Sequence, residues 1–572
     1  MNNYKEAMKL WLDSDAVDAA TKQAIEAMSE TEQLAAFGGF MSFGTAGLRA
    51  KMSPGTARMN TYTVAHATNA LAKTIVSLGA EAMERGVAIA YDSRNNSIEF
   101  ARRSAEVLSS YKIKAYLYES LRPTPVLSFA LRYLNCIAGI NVTASHNPAE
   151  YNGYKVYWED GAQIGPEQAD AIASIIKSTD ILTDVPTTAD ANEDYIIPMP
   201  AEVDEKYIQC VLGEIVYPEE ISKAADELAI VYTPLHGAGI KMVPEVLKRA
   251  GLKNISIVEE QSVPNGDFPT VHFPNPEFPE AFAIGLEIAK KVGSSLVVAT
   301  DPDADRVGVM AKNSTGEFKC ITGNQMGALL MDYIITAYKE SGTMPEEPYA
   351  VKSVVSSALA AEICKVNDVK MYDVLTGFKY IGEVIKNHEA EGHGTFLLGF
   401  EESYGYLKGT YARDKDAVVG TLLICEMAAY YFNRGMTLID ALENLFKRYG
   451  YYYERTCNVY IDRPDGQEIM SELMTKMRND PPAEIEGKKI VEFRDYKSGV
   501  VLNKVDGSTS ATGLPSANML YNITEDGDVI IIRPSGTEPK IKAYVLLKAD
   551  TMDEAVAYAD KIDAWFSREF NV

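Results

Sequence analysis

The stretch GINVTASHNPAEYNGYKVY (139–157) places Ser145 and His146 just past a β-branched run, with Asn-Pro and Asn-Gly breaking the chain around them. A serine nucleophile needs an adjacent base, an easier deprotonation, or a reaction that it enters already modified. The hydrolase elbow GxSxG is not met, because Thr143 and Asn147 stand at its glycine positions. Neighbouring side chains in a strand point to opposite faces, so a Ser-His pair adjacent in sequence is poor geometry for a triad. The plain alternative is a hydroxyl-bonded turn that ends a strand.

A second cluster, TDPDADRVG (300–308), alternates Asp301, Asp303 and Asp305, so an extended segment projects all three carboxylates from one face. Three like charges that close destabilise a fold unless something neutralises them. A hard divalent cation with oxygen ligands does so, and this ligand count suits magnesium with positions left for water or phosphate oxygen. An EF-hand fails here. Arg306 stands where its glycine belongs, and Lys312 where its bidentate glutamate belongs.

Two further clusters read as ligand loops. In LGFEESYGYLKGTYARDKDA (398–417), Glu401, Glu402 and Ser403 lie between glycines, where carboxylates and a hydroxyl can pair with sugar hydroxyls. In IIIRPSGTEPKIKAY (530–544), a strand ends in Arg533, and Ser535, Gly536 and Thr537 then offer hydroxyls and backbone N–H groups for a phosphate. The nearest approach to a Walker A sequence, EGKK at 486–489, lacks both its Ser/Thr and its upstream glycine, so the clamp suits a phosphate ester rather than a nucleotide. FGTAGLRA (43–50) and TGFKYIG (376–382) add Arg49 and Lys379 as anion contacts in Gly-containing turns. If these segments surround one cleft, the set suits moving a phosphoryl group on a sugar phosphate.

The elements that must position these groups follow from length and rhythm. A chain of 572 residues is too long for one core and suggests about three to five domains. Short β-rich runs precede longer helix-patterned stretches: 86–94, then 98–111, then 114–120; the alternation returns at 228–234, at 295–310 and around the helical 324–340. The last part places several strands before a closing helix at 552–569, an α+β order. Residues 183–206, rich in Pro and acids, and 450–457 read as joints. The expected division is three α/β domains at 1–205, 206–321 and 322–450, and a smaller α+β domain at 451–572.

A net charge of −25 argues against nucleic acid or an anionic membrane as the main partner, so an anionic substrate needs local basic residues. Six scattered cysteines without a CxxC pair fit reduced, buried thiols, Cys136 before the serine loop included. The polar, helix-patterned N-terminus does not read as a signal peptide, and the apolar run 417–425 meets Glu426 too soon to span a bilayer. The expected setting is the cytoplasm.

Taken together and in this order, the motifs resemble those of the α-D-phosphohexomutase superfamily over nearly the whole chain. TASHNP is similar to its phosphoserine loop, DPDADR to its metal loop, FEESYG to its sugar loop and RPSGTEPK to its phosphate loop. The chain length, FGTAGLR and GTYARDKDA resemble the longer phosphoglucomutase/phosphopentomutase branch. The resemblance implies four domains around a central cleft. It also implies a phosphoryl group carried on Ser145, with magnesium held by Ser145, Asp301, Asp303 and Asp305. Arg49, His146, Lys155 and Lys379 match catalytic positions. Arg306, Glu401, Ser403, Arg533, Ser535, Gly536 and Thr537 match substrate-binding ones. The implied activity interconverts glucose 1-phosphate and glucose 6-phosphate, primed by glucose 1,6-bisphosphate. The alternatives in the same branch are a phosphopentomutase and a sugar bisphosphate synthase. A phosphoglucosamine mutase fits less well, since its sugar loop resembles GEQSG. A non-catalytic sugar-phosphate sensor conflicts with the intact Ser145 and aspartate triad.

Overall fold

The computed structural model describes residues 4–461, 463, 465–534 and 540–570. The chain separates into two compact units. One is built of residues up to 322 with 382–392 and 403–437; the other of 323–381, 393–402 and residues from 438 onward.

In the first unit, β1 (Leu48–Lys51), β2 (Val87–Tyr91), β3 (Ala115–Leu117), β4 (Ala138–Val142), β5 (Tyr151–Trp158) and β6 (Ile196–Pro198) form a sheet in the order β1-β5-β4-β2-β3-β6. Every residue of β2 (VAIAY) and β4 (AGINV) is buried, and the two run parallel, as strands covered on both faces do. Helix Ser97–Ser110 supplies part of that cover by burying Phe100, Ala101, Ser104, Ala105 and Leu108 at helical spacing. Helix Thr61–Ser77 begins at a capping box between Asn60 and Thr63 and adds Val64, Ala67, Leu71 and Ile75 to the same core.

The second sheet of this unit joins β7 (Ile230–Thr233), β8 (Ile255–Ile257), β9 (Leu296–Thr300), β10 (Val307–Lys312) and β11 (Phe318–Ile321) in the order β11-β10-β9-β7-β8. The rhythm at 295–310 suggested one strand, but the chain reverses there, and β10 pairs antiparallel with β9 from Val307↔Thr300. Pro302 has no N–H to give a ladder, and Ala304 sits at φ +49°, so the strand cannot continue through 301–306.

The second unit carries β12 (Pro348–Ser353) between β13 (Lys370–Val374) and β14 (Thr395–Glu401), all parallel. Strand β15 (Gly405–Leu407) lies in the first unit. The C-terminal sheet comprises β16 (Tyr451–Tyr460), β17 (Glu484–Ile485), β18 (Lys488–Asp495), β19 (Val500–Asn503), β20 (Thr509–Ala511), β21 (Leu520–Thr524), β22 (Val529–Pro534) and β23 (Lys540–Ala549). Its order is β16-β23-β22-β21-β18-β19-β20 with β17 beside β18, antiparallel throughout. Helix Met552–Phe570 closes its core with Ala559, Ile562, Phe566 and Phe570. Three mixed α/β sheets and a C-terminal α+β sheet are the fold class expected from sequence.

Both stretches taken for joints contain structure. Within 183–206 lies β6, which pairs parallel with β3 at the edge of the first sheet; three residues are too few to show an alternation. The tyrosine-rich 451–460 is β16, paired with β23 along its whole length, as a β-forming aromatic run can be. The apolar run at 417–425 is the buried start of helix Ala417–Phe432, and Glu426 is tolerated there because its Oε1 accepts the N–H groups of Val216 and Tyr217. Among the described residues, no helix is long and apolar enough to cross a membrane.

Candidate active site

The serine loop leaves the buried end of β4. Thr143 Oγ1 donates to Asp92 Oδ2 (2.5 Å) and accepts the N–H of Ser145 (2.8 Å), closing a side-chain turn that puts Ser145 at φ +51°. The plain reading of this stretch, a hydroxyl-bonded turn, is therefore correct as geometry. It is also what aims the serine. The hydroxyl donates to Asp301 Oδ2 at 2.6 Å, and Nδ1 of His146 lies 3.2 Å from Oγ. The strand argument against this Ser-His pair does not apply, because the left-handed residue turns both side chains to one side. Burial, with the cations Arg306, Arg49 and Arg94 nearby, pushes the His146 imidazole well below its usual value, so it stands neutral.

The three aspartates converge, but from the turn 301–306 rather than from an extended face. Their ligand atoms all lie within 4.8 Å of one another, and all three residues are buried. Asp301 Oδ1 accepts the N–H groups of Asp305 and Arg306 (3.1 Å each). Asp303 Oδ2 accepts Thr124 Oγ1 (2.8 Å) and Lys155 Nζ (3.0 Å). The loop is pinned from behind by Ala238, whose N–H donates to Pro302 O (2.7 Å). Gly237 packs so closely there that a Cβ would meet Pro302 Cα at 2.4 Å. Burial and the charges of Asp303 and Asp305 push Asp301 well above the usual carboxylate range. Asp303 is held below that range against its burial by Lys155. Asp303 Oδ1 and Asp305 Oδ1 are buried with no hydrogen-bond partner. Buried acceptors left open beside like charges are what a hard cation with oxygen ligands satisfies, so the residues fit magnesium.

Two lysines face this acidic turn. Lys155, on β5, also lies 3.8 Å from Asp305 Oδ2. Lys415 lies 3.3 Å from Asp305 Oδ2 and 3.0 Å from Asp414 Oδ1, while Asp414 Oδ2 accepts Tyr157 Oη (2.8 Å) and Gln163 Nε2 (3.1 Å). Gly405 makes room for that lysine: a Cβ there would stand 2.2 Å from Lys415 Cδ. Arg306 pairs with Glu277 (2.8 Å) and reaches Asp305 at 3.8 Å. Arg49, across from Gly153 in the β1–β5 pairing, donates to Asn147 Oδ1 (3.1 Å) in the serine loop. Ser403 lies in the turn before Tyr404, whose carbonyl accepts the N–H of Val307 at the start of β10.

The first unit thus brings together Ser145, His146, Lys155 and the three aspartates, with Arg306 and Arg49 tied to them. The second unit holds Lys379, Glu401 and Arg533. Glu401 ends β14, buried, and its Oε1 accepts the N–H of Gly377 (2.7 Å); Glu402 accepts Ser353 Oγ (3.2 Å). Lys379, in the first turn of helix Phe378–Glu391, stands 5.1 Å from the ring centre of Tyr380. Arg533, at the end of β22, lines a cavity of about 460 Å³ with Thr376, Tyr380, Met470 and Met474. Ser535, Gly536 and Thr537 fall outside the described residues.

Sequence reasoning missed Lys415, Asp414, Thr124 and Arg94 as parts of the site. RDKD (413–416) offered a signal as four successive charges within GTYARDKDA, a stretch already singled out; all four are buried in the structure. Thr124 offered none.

The description "Phosphoglucomutase/phosphomannomutase, alpha/beta/alpha domain I" matches residues 41–182, that of domain II 205–316 and that of domain III 322–449. The chain is similar to the phosphoglucomutase of Staphylococcus aureus strain USA300, with 36% identity over 97% of this chain and 98% of that one. The phosphoglucomutase of strain MRSA252 matches at the same identity and coverage. Among solved structures it is similar to the open form of parafusin, a phosphoglucomutase from Paramecium (TM-score 0.66, 18% identity, 93% of this chain and 95% of that one). A phosphoglucomutase/phosphomannomutase family protein from Burkholderia thailandensis gives TM-score 0.64 at 17% identity, covering 92% and 97%. At such identities the structures speak for the fold alone.

Proposed function

The chain belongs to the phosphoglucomutase/phosphomannomutase family of the α-D-phosphohexomutase superfamily, and from that premise we propose that it interconverts glucose 1-phosphate and glucose 6-phosphate. The observation that carries the reading is Ser145 Oγ, 2.6 Å from Asp301 in a turn of three buried, converging carboxylates.

In this reading phosphorylated Ser145 gives its phosphoryl to the free 6-hydroxyl of glucose 1-phosphate. The P–Oγ bond breaks as the new P–O bond forms, and glucose 1,6-bisphosphate results. The bisphosphate reorients, and Ser145 Oγ takes the phosphoryl from C1, leaving glucose 6-phosphate. The serine proton released in the second half faces Asp301 Oδ2, to which the hydroxyl already donates, and Nδ1 of His146, an acceptor when the neutral ring carries its proton on Nε2. Asp301, Asp303, Asp305 and Ser145 would hold magnesium, which supplies Lewis-acid stabilisation of the transferring phosphoryl oxygens. Lys155, Lys415, Arg306 and Arg49 give the site local positive charge for a dianionic substrate against a net charge of −25. Lys155, Arg49 and Lys379 are the candidates for general acid–base or electrostatic work on the sugar hydroxyl. Glu401 and Ser403 read sugar hydroxyls, and Arg533 with Ser535, Gly536 and Thr537 grips the phosphate that is not transferred. The same reading divides the chain into domains at 205/206, 321/322 and 450/451.

The test is turnover with magnesium and priming bisphosphate on glucose 1-phosphate, ribose 1-phosphate and deoxyribose 1-phosphate. Large glucose preference is expected; pentose preference would overturn the substrate, and full turnover by Ser145→Ala the mechanism.

A further inference from the structure

We infer that Arg94 is a positioning residue for phosphoryl transfer, holding the peptide of Ser145 from beneath without touching substrate; the inference rests on the mutase reading above. Arg94 follows β2 in the loop 92–96 and is only 3% exposed. Its Nη2 donates to the carbonyls of Ser145 (2.5 Å) and Asn147, and its Nη1 to those of Pro148 (2.9 Å) and Tyr151 (3.0 Å). One guanidinium therefore closes four carbonyls of the loop that carries the nucleophile.

Its own position is fixed from two sides. Nε lies 3.4 Å from Asp92 Oδ2, and the ring of Phe268, from the segment between β8 and β9, stands 5.0 Å over the guanidinium carbon. Asp92 also accepts Thr143 Oγ1 (2.5 Å), which in turn accepts the N–H of Ser145. The Asp92–Arg94 pair thus grips both ends of one residue: the N–H of Ser145 through Thr143, and its C=O directly. A non-glycine residue at φ +51° persists only where its surroundings over-determine it, and this clamp does so.

The chemistry explains why such a clamp is needed. Ser145 alternates between a neutral hydroxyl and a phosphate ester, a change of about two charges. Through both halves of the cycle its oxygen must stay in line with the reacting phosphorus, and a displacement near 1 Å costs on the order of a hundredfold in rate. A planar guanidinium holds several carbonyls from fixed directions; a lysine ammonium has three rotatable donors on a flexible stem, too few for four carbonyls and without that fixed geometry. The buried cation also lies under the loop that becomes negative, which favours the phosphorylated state.

The experiment compares wild type, Arg94→Lys and Phe268→Leu, the last loosening the guanidinium without removing it. Each is primed with labelled glucose 1,6-bisphosphate. Phosphoserine formation, its loss to water, and kcat and KM for glucose 1-phosphate are then measured. For Arg94→Lys we expect kcat to fall about a hundredfold with KM changed less than about threefold, and phosphoserine to decay faster. For Phe268→Leu the same split is expected at about fivefold. Wild-type kcat and phosphoserine lifetime in Arg94→Lys overturn the inference. If that variant does not fold, an unchanged Phe268→Leu overturns it. Wild-type protein that takes no label overturns the mutase reading and this inference with it, whereas a labelled wild type beside an indifferent Arg94→Lys overturns this inference alone.

Discussion

Lys155 Nζ and Asp303 Oδ2 form a buried ion pair at 3.0 Å, made by residues 148 positions apart on β5 and in the turn after β9. Removing one partner of such a pair leaves an uncompensated buried charge and costs about 3–5 kcal/mol. We expect Lys155→Met to lower unfolding free energy by about that amount in chelated protein, and Asp303→Asn by less, because it also removes one of three crowded like charges and leaves Lys155 beside Asp305 Oδ2 at 3.8 Å. The double variant should lose clearly less than the sum. Denaturant melts of the four proteins check it; strict additivity would mean the pair is not coupled.

Magnesium should stabilise the first unit because it meets carboxylate oxygens that the protein leaves open. At a hundredfold excess over its dissociation constant, the gain expected from linkage is about 2.7 kcal/mol. A thermal melt of the chelated protein with added magnesium should move upward, and Asp303→Asn should remove most of the shift. An equal shift in that variant would place the cation elsewhere.

Gly237→Ala tests how the acidic turn is held. Its Cβ would stand 2.4 Å from Pro302 Cα, so backbone must move. Overpacking of this kind costs about 1–3 kcal/mol. The expected signature is weaker magnesium binding and lower kcat, measured by metal titration of the melt and by turnover. A variant with unaltered metal affinity would show that the turn does not depend on this contact.

The second unit carries a pH response at Glu454 on β16. Burial raises its pKa from 4.5 to about 7, opposed by the hydrogen bond with Ser357 and the charge of Lys352. The folded chain thus holds this proton more tightly than the unfolded one. The stability it contributes is fully present below pH 4.5 and is lost as pH rises through about 7. Glu454→Gln should therefore gain on wild type steadily across that window and then run parallel above it. Unfolding midpoints taken from pH 5 to 8 decide the matter: parallel curves throughout would rule out the raised pKa.

The site was legible where chemistry is carried by short contiguous motifs. Ser145 and the three aspartates stand out by residue type and spacing, and the first unit brings them together. How they work was less legible. An extended-strand reading put the aspartates on one face, whereas Pro302 and Ala304 make a turn that points them inward. Strand alternation separated Ser145 from His146, whereas one left-handed residue brings them together. Thr124 and Arg94 were invisible, because a threonine at a helix start and an arginine after a strand look the same whether or not they hold an active loop.

The sequence by itself determined the superfamily, the α/β rhythm of the first three segments, the α+β end and the motif that carries Ser145. These depend on local pattern and on motifs that lie within a few residues. Only the tertiary structure decided that Lys415 meets Asp305, that Thr124 meets Asp303, and that Arg94 closes the carbonyls of the serine loop. Those pairings join residues distant in the chain, and their energies come from burial and charge in one shared place, which no local pattern encodes.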